Sequence, residues 1–263
     1  MSIFRTIALF VYLFGYMIVH YSVLCKAERA LAAGDTETVR QLVKKHIPHW
    51  SKGILNVTGV RLSVEGLDNI PKDGPSVFVA NHRSYYDIPL LLAGLDEPYG
   101  ILAKEELGKI PLLNRWMKLL GCVFVQRDDV RASVRALNDA TAIVESGRSF
   151  IIFPEGTRTR VGEAMTLQRG AANIAVRCNS AVRVVVIHCS ERMLDKQSSW
   201  YNVPPNKPVF TVDVRERINI HDFYDASQHE PALAARQLNR HMQHQLTTGL
   251  QSLSGTKDAS ALS

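Results

Sequence analysis

The chain has 263 residues, of which 46% are hydrophobic and 21% charged, with 31 Lys and Arg against 25 Asp and Glu and a formal charge of +6. That composition excludes wholesale disorder, a fibrous repeat and a polytopic membrane bundle, and it suits one domain of about 200 residues plus an accessory segment. The positive excess favours an anionic partner, for which nucleic acid, a phosphorylated small molecule and an anionic membrane all qualify.

Ile3 to Cys25 is strongly apolar and about long enough to cross a hydrocarbon core, for which ~20 residues suffice. A cleaved leader fits poorly, because the charged stretch Lys26 to Arg29 follows at once and the Ala30-x-Ala32 pattern lies beyond it. Leu24 before Cys25 is also wrong for a lipoprotein site. An uncleaved anchor is expected. Lys26, Arg29, Arg40, Lys44 and Lys45 on its C-terminal side, against Arg5 before it, place the rest of the chain in the cytoplasm if the segment spans. Arg5, His20, Tyr12, Gly15, Tyr16 and Tyr21 equally allow a helix that dips into one leaflet.

After Gly34 and Asp35, the apolar positions Val39, Leu42, Val43, Ile47 and Trp50 form one helical face, with Pro48 expected to bend the helix near its end. Such a stripe either packs on a core or lies at a membrane interface. From Ile54 onward short β-type runs alternate with helical ones. Leu62 and Val64, Ser76 to Ala80, Gly121 to Val125, Phe150 to Phe153, Val182 to Ile187 and Val209 to Val214 read as strands. Ile88 to Gly94 and Arg131 to Gly147 read as helices, the second with Val134, Leu137, Thr141 and Val144 on one face. Pro231 to Leu250 reads as a closing helix, and the Ser-rich, Ala-rich residues 251–263 as a frayed tail. This is an α/β pattern.

Two strand ends carry unusual chemistry. Ser76 to Ala80 runs into Asn81-His82-Arg83-Ser84-Tyr85-Tyr86-Asp87, so a histidine sits where the sheet opens and an acid follows at a plausible helix N-cap. A carboxylate folded back onto one imidazole nitrogen would leave the other able to draw a proton from an alcohol. Alone, His-x-x-x-x-Asp is also common as a loop histidine beside a capping aspartate. Phe150 to Phe153 ends in Pro154-Glu155-Gly156-Thr157-Arg158-Thr159-Arg160, which puts two arginines at the carboxyl edge of the sheet, where ligands commonly bind. Guanidinium forks match phosphate oxygens, although such a segment on its own is often a solvated turn.

Together the two segments resemble the signature of the glycerolipid acyltransferases, in particular the bacterial lysophosphatidic acid (1-acylglycerol-3-phosphate) acyltransferases. Ala103-Lys104-Glu105-Glu106-Leu107, Gly121-Cys122-Val123-Phe124-Val125-Gln126-Arg127 and Leu167-Gln168-Arg169-Gly170-Ala171 are similar to further family blocks, so the resemblance covers roughly residues 55–215. One block departs from the pattern: Val182-Arg183-Val184-Val185-Val186-Ile187 lacks the family's two prolines, which leaves head-group and chain-length preference open.

The resemblance implies a single mixed-sheet α/β acyltransferase domain flanked by helices over residues 54–250. An N-terminal membrane-associated segment over 1–53 precedes it and a flexible tail over 251–263 follows. It implies that His82, held by Asp87, removes the proton of a lysophospholipid hydroxyl as that oxygen attacks an acyl thioester. Lys104, Arg127 and Arg158 would hold the acceptor phosphate, with Glu155, Gly156 and Thr157 shaping the pocket and Glu155 able to pair with one of those cations. The implied partners are membrane lipid, a lysophospholipid acceptor and an acyl-CoA or acyl carrier protein donor. The implied location is the cell membrane, catalytic domain on the cytoplasmic side, and another lyso-lipid acceptor stays open.

No cofactor or metal is expected: the nine histidines include no His-Glu-x-x-His, and His241 and His244 on the closing helix lack neighbouring acids. Cys25, Cys122, Cys178 and Cys189 have no Cys-x-x-Cys spacing and read as reduced, mostly buried thiols. No Gly-x-Ser-x-Gly elbow offers a hydrolase nucleophile. No basic cluster with interleaved aromatics suggests nucleic acid.

Overall fold

A computed structural model of the chain describes residues 3–70, 74–95, 97–126, 128–159, 165–189, 208–226 and 230–255. Three helices lead: α1 (Ile3–Val19), α2 (Tyr21–Ala32) and α3 (Thr36–Thr58). The segment expected to run unbroken to Cys25 is interrupted at His20, whose ring nitrogen Nδ1 lies 2.9 Å from the Tyr16 carbonyl. Among the described residues no single helix is long and apolar enough to cross a membrane; α1 and α2 meet that criterion only as a pair bent by 53°. The bend lets both helices follow α3, to which α1 is tied by Trp50 Nε1 donating to the Leu13 carbonyl at 3.4 Å. Gly53 makes their close approach possible, because a β-carbon there would overlap the Tyr12 ring.

α3 starts where the sequence predicts, with the Asp35 carboxylate accepting from the Thr38 amide at 3.0 Å. It then continues through Pro48 to Thr58, past the expected end near Trp50, and stops at Gly59 in the left-handed conformation (φ 75°). Its stripe of Val39, Val43, Ile47, Ile54 and Leu55 is buried against the protein core.

Among the described residues seven strands follow: β1 (Arg61–Glu65), β2 (Ser76–Ala80), β3 (Gly100–Lys104), β4 (Val123–Val125), β5 (Phe150–Ile152), β6 (Ala181–Cys189) and β7 (Val209–Ile218). They form one mixed sheet in the order β1-β7-β6-β2-β5-β3-β4. β2 to β6 run parallel to one another, while β7 is antiparallel to β6 and pairs in parallel with β1. Between and after the strands lie α4 (Asp87–Gly94), α5 (Leu113–Leu120), α6 (Val130–Glu145), α7 (Gly170–Arg177), α8 (His221–Ala226) and α9 (Pro231–Gly255). α9 extends into the tail predicted from 251; residues 256–263 lie outside the described residues.

The central strands are apolar on both sides, as a parallel sheet covered on two faces requires. Phe78, Ile151 and Val185 point into a core shared with α1, α3, α4 and α5. Val77, Ile152 and Val184 point into a second core shared with α6, α7 and α9. On α6 the buried positions are Ala136, Ala140, Thr141 and Val144, while Val134 is exposed, so the face predicted for this helix is rotated. The four cysteines are free and partly buried, and burial pushes the Cys122 thiol up to about 12.

Asn81 extends the ladder beyond the end of β2. Its Nδ2 donates to the Ile187 carbonyl at 2.9 Å, and its Oδ1 accepts from the Ile187 amide at 2.7 Å, at zero exposure. The side chain therefore replaces the backbone of a further strand residue on the β6 side. Replacing it by alanine strands two buried backbone groups. Asn81→Ala should lower the unfolding free energy by roughly 2–4 kcal/mol, read from chemical denaturation; a loss under about 0.5 kcal/mol would contradict this role.

Candidate active site

β2 and β5 lie side by side with Val79 opposite Ile152, so the residues that follow each strand leave the sheet together. His82 and Glu155 emerge at the same level. The His82 amide donates to Glu155 Oε1 at 2.7 Å, and the Thr159 amide donates to the His82 carbonyl at 2.9 Å. The backbone of His82 is thus held from the β5 loop on both its polar groups.

The imidazole is fixed as firmly. Nδ1 lies 2.7 Å from Asp87 Oδ2, with the His82 side chain 14% exposed and that of Asp87 1%. Asp87 is the first residue of α4, and it does not cap that helix as the sequence predicted. Its carboxylate instead faces back into the loop, where Oδ2 also accepts from the Arg83 amide at 2.8 Å and the Ser84 amide at 2.9 Å. Those two amides fix the carboxylate, and the carboxylate fixes the ring. With Nδ1–H donating to Asp87, Nε2 presents its lone pair as an acceptor. The Phe153 ring packs 4.4 Å from the imidazole, centroid to centroid, and limits its rotation.

Glu155 is 8% exposed, and its Oε2 has no hydrogen-bond partner among the described residues. Burial pushes its carboxyl up to about 7, opposed by the His82 amide and by nearby Arg83 and reinforced by the Asp87 charge. The sequence reading allowed Glu155 an ion pair with a phosphate-holding cation; here its oxygen is committed to the His82 backbone. Gly156 takes φ 70°, which lets the loop turn back, and Gln168 N donates to the Pro154 carbonyl at 2.7 Å to close it. Thr157 is exposed. Arg158 is half-buried, its guanidinium carbon 3.7 Å from the centroid of the Tyr85 ring and its Nη1 without a partner among the described residues.

The other two predicted cations are placed differently. Lys104 ends β3, the strand next to β5, so it lies at the same sheet edge, but its side chain is 57% exposed and pairs with Glu106 at 2.7 Å. Arg127 lies outside the described residues. His241 and His244 are exposed on α9, and among the described residues no three His, Cys, Asp or Glu side chains converge as a metal site would require.

Sequence reasoning missed a cavity of about 530 Å³ that begins at the loop carrying His82. Tyr85 and Tyr86 line it at that end, and Leu13, Met17, Trp50 and Trp116 line it elsewhere. Its walls come from α1, α3, α4, α5 and β3 and are almost wholly apolar, so it admits a hydrocarbon and not a polar chain. The signal lay in α1 and α3, whose apolar residues outnumber what one core-facing stripe needs.

Because the carboxyl of Glu155 ionises near 7 when folded and near 4.5 when exposed, the folded state holds the extra proton between those values. Its contribution is full below pH 4.5 and is lost as pH rises through about 7. Glu155→Gln keeps an acceptor for the His82 amide and removes the titration. Between pH 5 and pH 8 the wild type should lose up to roughly 3 kcal/mol of unfolding free energy relative to Glu155→Gln, and parallel pH profiles for the two proteins would refute the assignment.

Residues 61–190 match the family model described as acyltransferase. The 1-acyl-sn-glycerol-3-phosphate acyltransferase of Borreliella burgdorferi is 28% identical over 171 residues, which are 62% of this chain and 68% of that protein. A chloroplastic 1-acyl-sn-glycerol-3-phosphate acyltransferase of Arabidopsis thaliana is 34% identical over 123 residues, 46% of this chain and 34% of that protein, so this chain matches only about a third of its length. The crystal structure of the 1-acyl-sn-glycerophosphate (LPA) acyltransferase PlsC from Thermotoga maritima superposes with a TM-score of 0.69 at 27% identity, covering 96% of this chain and 98% of that one. The likeness therefore runs from the leading helices to the closing one and is not confined to the two motifs, and residues 61–190 carry an acyltransferase domain.

Proposed function

We propose that the protein is a 1-acylglycerol-3-phosphate O-acyltransferase, which moves a fatty acyl group from an acyl thioester to the free sn-2 hydroxyl of lysophosphatidic acid and yields phosphatidic acid. The observation that carries this reading is the junction at the His82 loop of three features. They are an oriented imidazole base, an unpaired guanidinium at Arg158 and an apolar cavity. A phosphorylated alcohol bearing a fatty chain needs those three together. Relatives and a solved neighbour that carry that enzyme name support it.

In the reaction His82 Nε2 takes the hydroxyl proton as the oxygen attacks the thioester carbonyl. An alcohol is too weak an acid to ionise first, so proton removal and attack are concerted. The tetrahedral intermediate collapses with cleavage of the carbon–sulfur bond, and the departing sulfur takes the proton back from the imidazolium. Asp87 steadies the positive ring through its contact with Nδ1. Arg158 positions the acceptor through its phosphate, and a positioned hydroxyl reacts far faster than one free to tumble. Lys104, at the same sheet edge, adds to that field once its exposed pair with Glu106 yields. The fatty chain of the acceptor occupies the apolar cavity. Either acyl-CoA or acyl carrier protein serves as donor.

The same reading places the enzyme at the cell membrane with its catalytic domain on the cytoplasmic side. Phe4, Ile7, Val11, Phe14 and Ile18 recur at three- and four-residue intervals along α1 and are all exposed, while Leu9 and Met17 on its other side are buried in the core. A helix so fixed to the catalytic domain along one face and apolar along the other suits insertion into one leaflet better than passage through both.

Purified enzyme given lysophosphatidic acid and acyl thioesters should release thiol and form phosphatidic acid, and His82→Ala should cut the rate by roughly 10²-fold to 10⁴-fold. Absence of product with this acceptor, beside other lyso-lipids tested in parallel, would overturn the assignment; an active His82→Ala enzyme would overturn the mechanism. Flotation with anionic vesicles should carry the wild type upward and leave Phe14→Asp/Ile18→Asp behind, and equal flotation of both would move the membrane contact elsewhere.

A further inference from the structure

Arg158 and Tyr85 come from the two loops that build the site, and they meet face to face. The guanidinium carbon is 3.7 Å from the ring centroid, well inside the range of a cation–π contact. Tyr85 is 49% exposed, large for an aromatic side chain held in a motif loop, and it also lines the catalytic end of the apolar cavity. No family motif residue is needed at this position for the proton transfer, because His82 and Asp87 are held without it.

We propose that Tyr85 is a positioning residue for the acceptor phosphate: its ring face holds the Arg158 guanidinium flat at the mouth of the cavity. Stacking occupies the face of the fork and leaves its in-plane N–H groups free, which is the geometry that bidentate phosphate contact uses. The unpartnered Nη1 is one of those groups. At its backbone end Arg158 is already set beside the base, since the next residue, Thr159, donates its amide to the His82 carbonyl at 2.9 Å. Tyr85 fixes the other end of a long and otherwise freely rotating side chain. The distance from bound phosphate to Nε2 is then set at both ends, and Tyr85 marks where the head group stops and the chain begins. The role rests on the acceptor reading given above.

The test is a double-mutant cycle on Tyr85→Leu and Arg158→Ala, with Tyr85→Phe as the conservative variant and thermal midpoints as a check on folding. Leucine keeps an apolar cavity wall and removes the ring. Tyr85→Leu should raise the KM for lysophosphatidic acid roughly threefold to thirtyfold, the size expected of a cation–π contact, with the KM for the acyl thioester unchanged within about twofold. Tyr85→Phe should restore the acceptor KM, and in the Arg158→Ala background Tyr85→Leu should add nothing. An unchanged acceptor KM, an equal rise in donor KM, or the same rise with Arg158 already gone would make Tyr85 a cavity wall only and overturn the proposal while leaving the function intact. A wild type that does not acylate lysophosphatidic acid, established before any variant is made, would remove the functional reading and this role with it.

Discussion

Two parallel strands that end at the same level, in the middle of a sheet covered on both faces, impose the geometry of the site. A parallel strand cannot turn back into its neighbour, so each must leave the sheet edge by a loop, and two loops leaving adjacent strands have unpaired backbone groups within reach of each other. Here those groups find partners across the gap. The His82 amide takes a carboxylate oxygen of Glu155, the His82 carbonyl takes the Thr159 amide, and Asn81 supplies its side-chain amide to β6 where the ladder would otherwise stop. Satisfying the backbone at a buried strand end is the same act as fixing the position of His82. The Glu155 carboxyl, buried with one oxygen unpartnered among the described residues, is the group that holds the His82 amide.

The second theme is a division of labour between faces of the same helices. α1 and α3 give one side to the core and another to the cavity, and α1 turns a third side outward. The cavity is thereby shared between the accessory segment, through α1 and the first part of α3, and the domain that carries His82, through α4, α5 and β3. Arg115 on α5 and Glu28 on α2 reinforce the joint, with Arg115 Nε 2.7 Å from a carboxylate oxygen. His82 and Asp87 share their loop with the cavity-lining Tyr85 and Tyr86, and the lining residues of α1 and α3 join them only through packing of these helices on the domain.

What was legible in the sequence follows from how local each cause is. Ser76 to Ala80 is a strand as read, because an unbroken apolar run bounded by polar residues has few alternatives. β3 was missed: Gly100 carries no side chain because the Gly121 carbonyl stands where one would go, and a glycine lowers strand propensity in any local count. α5 and α7 escaped for a related reason, since neither has a side-chain cap, and α5 begins after Leu112 at φ 62°, a conformation that only tertiary packing sustains. The break at His20 likewise depends on α3, which no pattern within Ile3 to Cys25 contains. In the site, His82, Asp87 and the Pro-Glu-Gly-Thr-Arg turn were readable from their types and spacing. The work of Asn81, Glu155 and Tyr85 was not, because each acts on a partner at least 70 residues away, as when Asn81 bonds Ile187 across a separation of 106.

Gly53 gives this architecture an unexpected measure. Tyr12 occupies the space that any side chain at that position would fill, so the spacing between α1 and α3 is set by an atom that is missing. Both helices are walls of the cavity, and Leu13 and Ile54 stand immediately beside the contact. The fit of two cavity walls therefore depends on a residue that does not itself line the cavity. A methyl group added there would have to displace the Tyr12 ring that packs between α1 and α3, far along the chain from either motif.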